Sequence, residues 1–486
     1  MMNEDTICAI ATPPGESGIG IIRISGPDAR KALLTVFRPA KGHIKERELT
    51  YGKVCDPETG ELIDEVLAVY FPAPKTYTCE DVAEIDCHGG AIPLSRTLSL
   101  LLKQGVRLAE PGEFTKRAFL NGRLDLSQAE AVMDVIGAKT EAASRAALDQ
   151  LQGRFSEEIR KLRQSLTDAL VEIGVNIDYP DEDIEELTYQ HLLTALRGVR
   201  SGVEGLLASA EAGRIVRDGL KVAIVGRPNA GKSSLMNGLL RENRAIVTAI
   251  PGTTRDTIEE FANLRGIPVL LTDTAGIRET EDEVERLGID RSRKSLAEAD
   301  LVIVMIDAAE AAGGGKEAAG SAAEAGQAAL IAEERQLLAS VPAAKTLCLF
   351  NKADQAASVS QEDLLRVFPE AAGCARVLYT SVLTPEGIKA CEDAIFDLSG
   401  AGGENPALPS SRGAGNLITA NARHRAMLAE AREALLDAEH GVEAGLALEF
   451  LEIDVRRAYE ALGFITGDSV QDDIIKEIFS RFCLGK

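Results

Sequence analysis

The segment that most limits what this chain can fold into is Gly226-Arg-Pro-Asn-Ala-Gly-Lys-Ser233. It follows the apolar run Lys221–Val225 without a break, and Ser234 to Leu240 then reads as a helix. Strand, glycine loop and helix in that order build a phosphate cradle. The glycines let backbone amides turn toward an anion, and the helix N-terminus adds a favourable dipole. Asn229, Ala230, Gly231, Lys232, Ser233 and Ser234 are the expected contact residues, with Lys232 on the outer phosphates and the Ser233 hydroxyl on magnesium.

Further motifs follow in a fixed order. Gly252-Thr-Thr-Arg-Asp256 places Thr254 to complete magnesium coordination beside a terminal phosphate. Pro268–Asp273 reads as a strand that ends in Asp273-Thr274-Ala275-Gly276, where a carboxylate holds magnesium through water and a glycine amide approaches phosphate. Leu301–Ile306 reads as a buried strand. Thr346–Phe350 is another, ending in Asn351-Lys352-Ala353-Asp354. Asp354 accepts hydrogen bonds from the ring imino and exocyclic amino groups of guanine, a donor pair that adenine lacks. Val377–Thr380 leads into Ser381-Val382-Leu383, whose amides reach the guanine carbonyl. Each motif alone is compatible with an ordinary strand and turn; their order points to a guanine nucleotide with magnesium.

After Asp-Thr-Ala-Gly stands Ile277, which cannot orient a water molecule. The acidic run Glu279, Glu281, Asp282, Glu283 and Glu285 offers water-positioning groups, and spacing alone does not choose among them. Arg255 in the switch is one source of transition-state charge. The other is a potassium ion held by Asn229 and switch carbonyls.

The rest of the chain supports a larger assembly. A length of 486 residues implies about three domains. Short apolar runs at Ile19–Ile24, Val66–Phe71 and Val82–Cys87 suggest a small α/β domain. Ser127-Gln-Ala-Glu130 reads as a capping box before one long helix whose stripe runs through Leu148, Leu151, Phe155, Ile159, Leu162, Leu166, Leu170 and Ile173. Asp178–Asp183 breaks it, a second helix carries Leu192, Leu196, Val199 and Leu206, and Asn421–Phe450 is helical again. The nucleotide domain therefore reads as an insertion into a helical bundle. Residues 308–330 are almost all Ala, Gly and Glu, an expected loop or marginal helix away from the nucleotide motifs. The eight cysteines form no Cys-x-x-Cys pair, which argues against structural zinc, and Cys87-His88 reads as a turn before Gly89-Gly90. A net charge of -23 repels polyanions, so a nucleic acid would need a local patch or a partner protein. The start, MMNEDTICAI, is unlike a signal peptide, and a cytoplasmic location is expected.

Ala11–Gly15, Gly18–Gly26, Cys87–Gly90, Pro111–Leu126, Ile246–Asp256, Asp282–Arg286 and the closing Phe482-Cys-Leu-Gly-Lys486 together resemble the MnmE (TrmE) family of tRNA modification GTPases over essentially the whole chain. The resemblance implies four segments: an N-terminal folate-binding and dimerisation domain at 1–121, a helical domain at 122–216 and 405–486, and a GTPase domain at 217–404 inserted within it. The implied fold class is α/β plus α. It combines a P-loop GTPase domain in a discontinuous helical bundle with an α/β tetrahydrofolate-binding-like domain before it. The resemblance extends nucleotide contact to Thr248, Ala249, Ile250, Pro251, Gly252 and Thr253, and assigns potassium to Asn229, Thr248, Ile250 and Thr253. It makes Glu285 the water-positioning residue, Cys483 a participant in the modification, and Arg23, Glu80, Arg123 and Lys486 contacts of a one-carbon tetrahydrofolate. The implied activity is GTP hydrolysis, activated by potassium-dependent pairing of nucleotide domains. It is coupled to modification of carbon 5 of the wobble uridine of certain tRNAs, in a homodimer working with the FAD-dependent partner MnmG. On sequence alone Cys483, near Arg481 and Lys486, is either a reactive thiol or a buried structural one. A GTP-regulated binding factor such as Era is the alternative, and it leaves the Phe-Cys-Leu-Gly-Lys end unexplained.

Overall fold

The computed structural model describes residues 5–178, 185–243, 259–273, 296, 298–311, 321–356, 359–399 and 419–485. These fall into two compact units, one of residues 1–133, 150–200 and 430–486, the other of 134–149 and 201–429.

The first unit holds a seven-stranded sheet built from β1 (Ile7–Ile10), β2 (Ser17–Ser25), β3 (Phe37–Pro39), β4 (Thr50–Cys55), β5 (Leu62–Phe71), β6 (Val82–Gly89) and β7 (Arg107–Leu108), in the order β3-β4-β5-β6-β2-β1-β7. In β2 the alternation is clean. Gly20, Ile22 and Ile24 are buried under the helices Ala29–Val36 and Ala91–Lys103, while Ile21 and Arg23 face the other way. That period of two places Arg23 in register opposite Glu84 on β6. Cys87 and His88 lie within β6 rather than in a turn; Cys87 is buried and His88 Nδ1 lies 2.6 Å from Asp64 Oδ1.

The capping box sits two residues earlier than the sequence suggested. Gln128 N donates to Asp125 Oδ1 at 2.9 Å and Asp125 N to Gln128 Oε1 at 2.9 Å, at the start of the helix Leu126–Gly137. Ser127 is instead fully buried, bonded by Gln150 Nε2. The expected single long helix is two, Glu141–Leu151 and Arg154–Asp178, separated at Gly153 with φ 91. Leu148 is 42% exposed, whereas Phe155, Ile159, Leu166 and Ile173 on the second helix are buried. That helix packs along Leu448–Thr466, with Arg163 stacked 4.3 Å from the Tyr459 ring and ion-paired to Asp468. The Asn421–Phe450 stretch also breaks, after Ala422–Glu443, and Phe450 is exposed.

In the second unit a six-stranded sheet runs β13-β12-β11-β8-β10-β9. Its members are β8 (Leu220–Gly226), β9 (Glu259–Leu264), β10 (Ile267–Asp273), β11 (Leu301–Asp307), β12 (Thr346–Asn351) and β13 (Arg376–Tyr379). All neighbours are parallel except β9 and β10. The central strands are buried on both faces. Ile303 and Met305 face one apolar cluster, and Val302, Val304 and Ile306 the other. This is why β8, β11 and β12 read as continuous apolar runs without alternation.

Candidate functional site

Register brings the nucleotide motifs to one edge of the second sheet. Gly226 lies opposite Met305, Asp273 opposite Ile224, and Asp307 opposite Asn351, so the carboxyl ends of β8, β10, β11 and β12 converge. In an open parallel sheet this is where ligands bind.

The loop from Gly226 to Gly231 wraps around Lys232. Its Nζ donates to the carbonyls of Gly226 at 2.6 Å and Arg227 at 2.8 Å, at the start of the helix Lys232–Asn243. Asn229 adopts φ 65 and is exposed at the loop's crest. Two glycines are obligatory. At Gly226, with φ 149, a Cβ would stand 2.4 Å from Met305 O; at Gly231, with φ 106, it would stand 2.2 Å from Asn351 Nδ2. Ser233 and Ser234 follow on the first turn of the helix, and Ala230 is buried beneath the loop.

Asn351, 2% exposed, fastens this loop to the loop after β13. Its Nδ2 donates to Ala230 O at 2.7 Å, and its Oδ1 accepts from Val382 N at 3.0 Å. Lys352, at φ 63, reaches back to Asp307 Oδ2 at 2.5 Å. Ala353 N bonds Thr380 O at 3.2 Å, which seats the Asn-Lys-Ala-Asp turn against the loop after β13. The Asp354 side chain is exposed and makes no hydrogen bond to a described residue. Ser381 and Val382 are buried and Leu383 is 72% exposed.

The Ala/Gly/Glu segment is closer to these motifs than expected. Residues Ala308–Ala311 and Ser321–Ser340 are helical, and Arg227 of the phosphate loop pairs with Glu310 at 3.3 Å and Glu333 at 3.4 Å. Beside them Glu334 is 6% exposed, and burial raises its carboxyl to about 7. The sequence held no signal for this cluster, because helical spacing does not say which turn meets the loop. Thr248, Ala249, Ile250, Pro251, Gly252, Thr253, Thr254, Thr274, Ala275, Gly276 and Glu285 lie outside the described residues, as does Lys486, and of Asp273 only the backbone is described.

A second site lies in the first unit. A cleft of about 670 Å³ is lined by Arg23, Arg47, Lys75, Tyr77, Glu84 and Arg123 among others. Arg23 Nε bonds Glu84 Oε1 at 2.8 Å, and Arg123 stacks 4.8 Å from the Tyr77 ring while Nη1 donates to Tyr77 O at 3.0 Å. Arg23 and Arg123 thus line one cleft. Glu80 does not line this cleft. Its carboxylate accepts from Ser25 Oγ at 2.8 Å and from buried Arg117 Nη1 at 3.1 Å. Arg47, Lys75 and Tyr77 were missed, since a cleft drawn from β2, β5, β6 and three loops leaves no local pattern.

The Cys483 thiol is exposed, which excludes the buried structural reading. Its segment is nevertheless pinned. Gly112 N donates to Cys483 O at 3.3 Å, Phe482 is buried against Gly112, and a Cβ at Gly485 would stand 2.4 Å from Ile10 O. Arg481 turns away to Glu477 at 2.8 Å. Among the described residues no group of three or more His, Cys, Asp or Glu is placed to hold a metal. No described helix is long and apolar enough to cross a membrane.

A glycine loop around a buried lysine, joined through Asn351 to the loop after β13 and followed by the exposed Asp354 at the ends of parallel strands, defines a P-loop GTPase domain. The surrounding chain specifies which kind. Residues 126–483 match the family model described as the MnmE helical domain, and residues 6–123 that of the GTP-binding protein TrmE N-terminus. The tRNA modification GTPase MnmE of Lactiplantibacillus plantarum is 45% identical over 99% of this chain and 98% of its own length. That of Enterococcus faecalis is 46% identical over 100% and 99%, and that of Geobacillus thermodenitrificans 46% over 100% of both. The chain belongs to the MnmE family of tRNA modification GTPases. The match spans the N-terminal and helical parts as well as the nucleotide domain, which sets the Era-like alternative aside.

Proposed function

We propose that this chain couples GTP hydrolysis to modification of carbon 5 of the wobble uridine in certain tRNAs. It does so as a cytoplasmic homodimer with the FAD-dependent partner MnmG, adding an aminomethyl-type group from a one-carbon folate. The observation that carries the reading is the coexistence, on one chain of the MnmE family, of the guanine-nucleotide site and the cation-lined N-terminal cleft.

In the nucleotide site Lys232 exchanges its bonds to the Gly226 and Arg227 carbonyls for phosphate oxygens. The Ser233 hydroxyl, on the first helical turn, is a hard oxygen ligand suited to magnesium, with Thr254 as the second ligand from the switch. Magnesium and potassium supply positive charge where the phosphate oxygens gain electron density. Asn229, exposed at the left-handed crest of the loop, carries an amide oxygen that would hold potassium together with Thr248, Ile250 and Thr253. Glu285 orients the attacking water, which the aliphatic side chain of Ile277 cannot do. Closure pairs two nucleotide domains across their switches.

The N-terminal cleft fits a folate by chemistry. Tyr77 and Phe71 offer aromatic surface, the Arg23–Glu84 pair offers donors and acceptors to a heterocycle, and Arg123 offers charge to a carboxylate. Cys483 stands exposed at the pinned C-terminus as the thiol for the modification step.

The test is GTP turnover in potassium against sodium, for the intact chain and for Glu285→Ala. The reading expects turnover to depend on potassium and to fall by at least about tenfold in the variant. Equal rates in both salts would remove potassium from the mechanism, and an unimpaired variant would remove Glu285.

A further inference from the structure

We propose that the rim of the N-terminal cleft reads ligand charge, and that Arg47, Lys75 and Arg123 make it select a folate carrying several γ-linked glutamates over one carrying a single glutamate. The proposal rests on the folate reading of the cleft and adds the part of the ligand that decides affinity.

The cleft has a neutral floor and a cationic rim. On the floor Val82 is buried, and the charge of half-buried Arg23 is cancelled by Glu84 at 2.8 Å. At the rim Arg47, Lys75 and Arg123 are all exposed. None of the three has a carboxylate partner among the described residues. In a chain with 76 acidic and 53 basic residues, three such cations around one cleft are unexpected unless something anionic is to meet them. The two arginines are also held in place. Arg47 Nη2 donates to Pro72 O at 3.2 Å and Lys75 O at 3.0 Å and lies 5.9 Å from the Phe71 ring, so it is spent on backbone without losing charge. Arg123 is fixed in the same way, through Tyr77 O and the Tyr77 ring.

The floor suits an uncharged heterocycle, which interacts through hydrogen bonds and stacking. The three rim charges outnumber the two carboxylates of a single glutamate, and each further γ-linked residue adds one carboxylate. Exposed pairs are weak individually, so the expected gain is roughly two- to fivefold per added carboxylate. It falls at high salt, because the pairs lie in solvent.

Isothermal titration of the full-length chain with 5-formyltetrahydrofolate bearing one, three or five glutamates tests this. The triglutamate is expected to bind roughly four- to twenty-five-fold more tightly than the monoglutamate in dilute buffer, with the difference shrinking in concentrated potassium chloride. Lys75→Ala and Arg47→Gln should reduce that ratio and Arg47→Lys should preserve it, with unchanged GDP binding as the control for folding. Affinities within twofold across tail lengths, or a ratio unaffected by Lys75→Ala, would overturn the proposal while leaving the folate reading standing. Failure of all three folates to bind would overturn both.

Discussion

Replacing Asn351 by alanine removes two hydrogen bonds that hold the phosphate loop to the loop after β13. The bonds are 2.7 Å to Ala230 O and 3.0 Å from Val382 N, and both are buried. A typical bond contributes about 1 kcal/mol net, and a buried partner left unsatisfied costs about 1–3 kcal/mol. With two partners orphaned, a loss of roughly 2–5 kcal/mol is expected, shared between stability and nucleotide affinity. If half of it falls on binding, affinity for GDP drops by roughly five- to sixtyfold. Asn351→Asp separates the two bonds. Its carboxylate still accepts from Val382 N, but its second oxygen faces the Ala230 carbonyl, so one contact turns from attractive to repulsive. Aspartate should therefore bind GDP no better than alanine, despite its closer shape. Titration with a fluorescent GDP analogue, together with thermal melts with and without GDP, measures both parts. Affinity within twofold of the parent for either variant, with an unchanged melting temperature, would refute the idea that Asn351 positions the loop.

Three further outcomes follow. Burial raises Glu334 from the usual 4.5 to about 7, with Glu310, Asp307 and Glu333 adding to the rise and Arg227 opposing it. The folded chain therefore keeps a proton there that the unfolded chain releases, so stability falls as pH climbs from about 4.5 through about 7, by on the order of 3 kcal/mol. Glu334→Gln should flatten this part of the profile in denaturant melts at about pH 5.5 and about pH 8; a variant with the parent's slope contradicts it. Among the thiols, exposed Cys483 should be alkylated first, while Cys8, Cys87 and Cys391, buried and pushed up to about 12, should react last, as followed by peptide mass spectrometry. Gly231→Ala should weaken GDP binding by at least about as much as Asn351→Ala, because φ 106 strains any side chain there and its Cβ would meet Asn351 Nδ2 at 2.2 Å; binding at the parent's affinity would show that the loop can yield.

Much of the nucleotide domain was legible because its signals are local. The loop needs glycine at Gly226 and Gly231 for backbone reasons that any chain would share, and doubly buried strands such as Leu301–Asp307 cannot alternate. Helix ends were less legible. Leu148 and Phe155 share a spacing that fits one stripe, and only the left-handed turn at Gly153 separates them. The cap before Leu126–Gly137 was misplaced because Asp125 and Ser127 are both good cap residues and burial took Ser127 out of the competition.

By itself the sequence determined which motifs stand at the strand ends and which family the chain resembles. Tertiary structure alone decided what meets what across long separations. It set Arg227 against Glu310 and Glu333, joined Asn351 to Ala230, gathered Arg47, Lys75 and Arg123 at one rim, and left Cys483 exposed on a pinned tail. The physical reason is range. Backbone conformation and side-chain period act over a few residues and are written in adjacent letters, whereas burial and ion pairing depend on which surfaces the folded chain brings together.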